Sequence, residues 1–383
     1  MDRATPVPPT TPVWAPKSRL DALTILRFAA ALWVVVLHLQ YRAPLAAPPL
    51  LRRFFLNGAC AMTLFFVLSG VVLAYGYHRL RPHAPEIVAF YQARFARIYV
   101  PYALLHVLAL GWFAPANAQE LSAAIYINAL SALGLQAWFP NAAMQGANGG
   151  TWSISVEFFF YALFPALLPC LAYLRRRWGT LRVAAYVSAL SALIGFADYV
   201  FANSALLYYV MPAARLPEFM LGILLGLTLL DPPHRPFATP LSLAVACGAL
   251  LVAALNPALD YGTWIRANFF VVPAFGLFIY ELARWDQRRP AGPPGAVWRS
   301  LVYLGEASYC LFLVHMLPAL FLDSAPGRAW KAQHWPGSAL GLWVLFIAVS
   351  LLGAIALHEL VEKPVRRALL RRWQPNRPTA PAT

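Results

Sequence analysis

Apolar residues along this chain rarely alternate with polar ones; they come in long runs separated by short polar stitches. About eleven runs stand out, at about 22–41, 56–76, 97–114, 120–138, 152–174, 181–201, 205–229, 239–256, 264–283, 301–322 and 338–360. Most approach the roughly 20 residues a helix needs to cross a bilayer core. Continuous runs of this length predict helices, because a membrane barrel strand alternates over about ten residues. The weakest run is "ELSAAIYINALSALGLQAWFP", which holds Asn128, Gln136, Ser122 and Ser131.

The stitches carry the orientation. Basic residues gather in "RFARIYVP", "YLRRRWGTLR", "ARWDQRR" and "VRRALLRRW". Short basic loops face the cytoplasm. That places 77–97, 175–182, 231–236, 284–299 and everything after 361 inside. If every run crossed the membrane, "RRRWGTLR" would fall outside; the conflict disappears if 120–138 does not span. The expected architecture is an all-α bundle of about ten transmembrane helices plus one re-entrant or interfacial helix, with both termini cytoplasmic.

Composition agrees. The chain has 383 residues, 60% hydrophobic and 12% charged, against roughly 45–50% and about 25% for soluble domains. An ordinary soluble enzyme is excluded. The net charge of +15 reads as topology rather than as a nucleic-acid footprint, and the same basic segments suit anionic lipid or an anionic cofactor. Cys60, Cys170, Cys247 and Cys310 are scattered; they read as small buried residues, and no metal is expected. The first 19 residues, "MDRATPVPPTTPVWAPKSR", read as a disordered cytoplasmic tail.

Ionisable groups inside such helices are costly and are functional candidates by default. Arg27 and His38 are eleven residues apart, three helical turns, so they share a face about 16 Å apart. A cation near the cytoplasmic end is thus joined to a proton acceptor nearer the outside; snorkelling at Arg27 and an interfacial position for His38 are the plainer readings. Ser69-Gly70 permits close helix packing or forms a narrow channel wall. Arg94 and Arg97 share a face as topogenic anchors or as phosphate ligands. In "GANGGTWSISVEFFFYALFP", a glycine loop leads to Trp152 and then Glu157, a lone acid for which His38 is the expected partner. "YLGEASYCLFLVHMLP" repeats the pattern with Glu306 and His315. Arg215 and Glu218 read as a local ion pair. His358 and Glu359 read as capping and anchoring groups, with Pro364 as a helix stop.

Together, Arg27-x10-His38, "FFVLSG", "RFARIYVP", "WSISVEFFFYALFP", "SYCLFLVHMLP" and the final "EKP" resemble acyltransferase family 3, the polytopic membrane O-acyltransferases. "SVEFFFY" is similar to the subgroup near macrolide acyltransferases and bacterial polysaccharide O-acetylases. The resemblance covers about residues 20–367 as one membrane domain, leaving a basic cytoplasmic tail at 368–383. It implies transfer of an acyl group, acetyl by default, from acyl-CoA to a hydroxyl in the bacterial inner membrane. It also implies His38 as catalytic base, Glu157 as essential acid, and Arg94 and Arg97 on the CoA phosphates with Arg27. Ser69 would lie along the coenzyme path, and Trp152 and His315 would face substrate. The expected acceptor is a carbohydrate, or a small molecule such as a macrolide.

Two rival classes are weighed against this. A proton-coupled transporter of a small solute also places acids and histidines near the midplane, but no inverted repeat is visible. A lipid-linked sugar transferase would want acidic clusters in its loops, whereas the 15 acidic residues are mostly isolated.

Overall fold

The computed structural model describes residues 20–111, 118–146, 148–201, 209–232, 247–248, 251, 268–289, 294–335 and 339–374. Among them the chain is helical, without strands. The expected tail at 1–19 and most of the run at 239–256 lie outside these residues.

The first long run folds as α1 (Asp21–Arg42), with an acid in its first turn and a base in its last, the polarity a helix dipole favours. An amphipathic α2 (Pro49–Leu56) leads to α3 (Ala61–Tyr77), apolar on all sides and part of the most enclosed of the long candidate spans. Then come α4 (Ala84–Leu110), α5 (Ala118–Ala132), the single turn α6 (Pro140–Ala143), α7 (Trp152–Trp178) and α8 (Thr180–Phe201). Pro101 in α4, and Pro165 and Pro169 in α7, sit inside helices, which membrane helices tolerate because neighbouring groups re-satisfy the freed carbonyls. Gly179, at φ 83°, ends α7 in a conformation that side chains disfavour.

The core is a close pairing of α3 with α9 (Leu216–Thr228). A Cβ on Gly70 would strike the Phe219 carbonyl, and one on Gly222 would strike that of Val67. Close packing is therefore one task of the Ser69-Gly70 stretch. Beyond it lie α10 (Asn268–Gln287), α11 (Ala296–Glu306), α12 (Ser308–Val314), α13 (Met316–Asp323), α14 (Ala325–His334), α15 (Ala339–Leu357) and α16 (Lys363–Trp373).

Six helices among the described residues are long and apolar enough to cross a bilayer, and the bent pair of α11 with α12–α13 makes up to seven. The expected ten are not all seen: 205–229 and 264–283 are described only in part, and α9 has 13 residues. At 301–322 the expected single helix is bent by 53°. There the Ser308 hydroxyl donates to the Gly305 carbonyl at 2.7 Å, a local bond that competes with the helical ladder. The last run does not stop at Pro364. A π turn at His358–Glu362 carries it into α16, so Pro364 lies within one continuous helical stretch, Ala339–Trp373, just after the wider turn that accommodates a residue without an N–H. The segment 368–373, expected as tail, is thus helical. At 15 residues, or about 22 Å, α5 is too short to span. Tyr99 donates to Ala132 O at 3.2 Å and Tyr102 to Ser131 O, tying its end to α4.

Candidate active site

Two pockets divide the candidate residues. The first is a cavity of about 50 Å³ between α1, α3, α4, α7 and α12. Arg27, Ser69, Arg94, Arg97 and Glu157 line it, with Tyr161, Tyr309 and the apolar Phe65, Leu68 and Val72. Each polar group arrives by helical spacing: Arg94 and Arg97 share a face of α4, and Tyr161 stands one turn after Glu157 on α7. The Tyr161 hydroxyl donates to Glu157 Oε2 at 3.2 Å. Arg94 donates to the Tyr77 hydroxyl at 2.9 Å and lies over that ring. Tyr309 donates to Ile98 O at 2.8 Å, fixing α12 against α4. Glu157 interacts with Arg27, Arg97 and Arg94, and Glu362 also offsets Arg97. Three guanidiniums and one carboxylate leave the lining at a formal +2, suited to a polyanion that arginine grips bidentately.

The second pocket, about 420 Å³ and open, is lined by His38, Tyr41, Arg42 and Asp323. Arg42 Nε and Nη2 grip Asp323 at 2.6–3.0 Å, while its Nη1 reaches His38 Nδ1 at 3.2 Å. The ring of His315, fully buried, stands 5.2 Å from that of His38, centroid to centroid. The turn before α7 approaches this segment: Asn148 Nδ2 donates to Leu313 O at 3.5 Å, and a Cβ on Gly150 would meet Met316.

The expected pairing of Glu157 with His38 does not form. Glu157 lies beside Arg27, and His38 is three turns further along α1, about 16 Å away. Trp152 lines neither of these two pockets: its ring is buried against Tyr209 and Phe66, at centroid distances of 4.9 and 6.2 Å. Arg215 and Glu218 do pair, at 3.1 Å, but at 0% and 1% exposure, with Thr63 bonded to both. His358 is not an anchor; it is buried and bonds Glu362 Oε2 at 2.7 Å, and Cys310 donates to the same oxygen at 3.1 Å. These three offer ligand atoms within 4.8 Å of one another, and their mutual hydrogen bonds account for the grouping. Glu359 does anchor, to Lys363 and Tyr303.

Sequence reasoning passed over Tyr161 and Arg42, although each is four residues after a named candidate and the helical period points to both. Tyr309 and Asp323 reach their pockets only through tertiary packing and carry no such signal.

Residues 20–359 match the acyltransferase domain family Acyl_transf_3. The chain is also similar to the acyltransferase MdmB of Streptomyces mycarofaciens, 31% identical over 387 residues that cover 95% of each chain. No solved structure matches. A family match that spans nearly the whole bundle, with both pockets inside it, shows that the chain belongs to acyltransferase family 3.

Proposed function

We propose that the protein is a membrane-bound O-acyltransferase that moves an acyl group, acetyl by default, from acyl-CoA to a hydroxyl of a sugar-containing acceptor. In this reading it sits in the bacterial inner membrane with both termini in the cytoplasm and takes its donor from that side. One observation carries the proposal: a lining of Arg27, Arg94 and Arg97 lies at one end of the α1 face and an imidazole, His38, at the other. The separation of about 16 Å is comparable to the reach of a pantetheine arm. A donor whose phosphates are held by the arginines would bring its thioester to His38.

In the proposed reaction His38 removes the proton from the acceptor hydroxyl as its oxygen attacks the thioester carbonyl. The new C–O bond forms and the C–S bond breaks; the leaving thiolate takes the proton back from the imidazolium. General-base assistance of this kind supplies about 10²–10⁴-fold in rate. Glu157 does not orient the base in this scheme. It balances the arginines so that they tolerate one another until a polyanion arrives. Ser69, beside Tyr161, lies along the path of the arm. The acceptor enters the open pocket beneath the turn at Gly149–Thr151.

The test is acetyl transfer, or thiol release from acetyl-CoA, by purified protein in detergent. His38→Ala should abolish turnover with donor binding intact, whereas Arg94→Ala and Arg97→Ala should raise the donor KM. Undiminished turnover in His38→Ala would overturn the reading. Mass spectrometry of surface sugars from cells with and without the gene tests the acceptor class.

A further inference from the structure

His38 on α1 and His315 at the junction of α12 and α13 stand ring against ring, and their hydrogen bonds fix which ring nitrogen of each carries a proton. Arg42 Nη1 contacts His38 Nδ1 at 3.2 Å. A guanidinium only donates, so Nδ1 is the acceptor and neutral His38 carries its proton on Nε2. His315 Nδ1 lies 3.2 Å from the Leu311 carbonyl. A carbonyl only accepts, so His315 is protonated on Nδ1 and keeps a lone pair on Nε2. That nitrogen is buried and has no partner. A buried acceptor without a donor is destabilising, and the neighbouring polar ring is that of His38, 5.2 Å away between centroids.

Building on the acyltransfer reading, we infer that His315 is a positioning residue for His38: it accepts the Nε2–H of His38 and holds that ring in the tautomer whose lone pair, on Nδ1, faces the open pocket. Arg42 occupies this lone pair at rest. Asp323 holds Arg42 by Nε and Nη2; Nη1, which also donates to the His38 carbonyl at 3.3 Å, is the corner that an acceptor hydroxyl displaces. When His38 takes the hydroxyl proton on Nδ1, both of its nitrogens carry protons, and the Nε2–H remains on His315. No proton passes to His315.

The tautomer is read by nitrogen NMR of protein labelled with ¹⁵N-histidine in detergent, with His38→Gln to assign the signal. Because Arg42 alone would fix the same tautomer, the decisive comparison removes it. Arg42→Met should keep His38 protonated on Nε2. Arg42→Met with His315→Asn, whose amide reaches only the Nδ1 site, should give a mixture. Arg42→Met with His315→Gln, whose amide reaches the Nε2 site, should restore the single form. A mixture in Arg42→Met alone, or no change on adding His315→Asn, would overturn the inference. In the acetyl-transfer assay with Arg42 present, His315→Asn should lower kcat about 100-fold with donor KM unchanged, and His315→Gln should stay within about fivefold of wild type. Equal loss in both would also overturn it. The NMR arm needs no substrate, so it separates failure of the dyad from failure of the acyltransfer reading. If His315→Asn does not fold, the Arg42→Met and His315→Gln arms still decide.

Discussion

Burial decides what each ion pair contributes. Arg215 and Glu218 are enclosed, with cation–π contacts to Phe66 and Tyr209, whereas Asp323 is half exposed. Glu218→Ala would leave a buried guanidinium unbalanced and should cost about 3–5 kcal/mol. Asp323→Ala should cost about 0–1 kcal/mol. Thermal unfolding in detergent measures both; similar losses would mean that the pairs share one environment. At this scale the sequence was readable wherever period alone suffices. Arg27 and His38 lie along one helix, and Arg94 and Arg97 share a lining, as spacing predicts. The neighbour of Glu157 was not readable, because it depends on how α7 lies against α1 and α4. Nor was the meeting of His38 with His315, which are 277 residues apart.

At the scale of elements, glycines mark where helices touch. Gly70 and Gly222 face backbone, while a Cβ on Gly76 would meet nothing within 4 Å. Gly70→Ala and Gly222→Ala should therefore each destabilise by about 1–3 kcal/mol. Gly76→Ala should be neutral or stabilise by up to about 1 kcal/mol through helix propensity. Unfolding curves of the three variants check this, and a stabilising Gly222→Ala would deny the tight α3–α9 contact. Long apolar runs made the helices legible; their interruptions were harder to see. The bend after Glu306 comes from a serine-to-carbonyl bond that hydropathy does not register. The π turn before Lys363 reverses the usual meaning of a proline.

For the whole molecule, the all-helical, apolar character followed from composition and run length. The number of crossings did not, because partial spans such as α9 and bent ones such as α11–α13 are not counted by hydropathy alone. The orientation proposed from the basic stitches is open to direct measurement. An Asn141→Cys variant should react with a membrane-impermeant maleimide in intact spheroplasts, and Arg177→Cys only after lysis. Reversed labelling would turn the bundle over and put the donor on the wrong face.

The arginine-lined cavity at rest holds about 50 Å³, room for a few waters at about 10–15 Å³ each. On the acyltransfer reading, a coenzyme arm following this path would need Phe65, Leu68 or Val72 to give way. In that reading each catalytic cycle would include an expansion of the bundle against its surroundings. Reconstituted protein should turn over more slowly in ordered, saturated lipid than in fluid, unsaturated lipid, even at saturating donor. The bilayer would in that way govern the enzyme's speed through its lateral pressure.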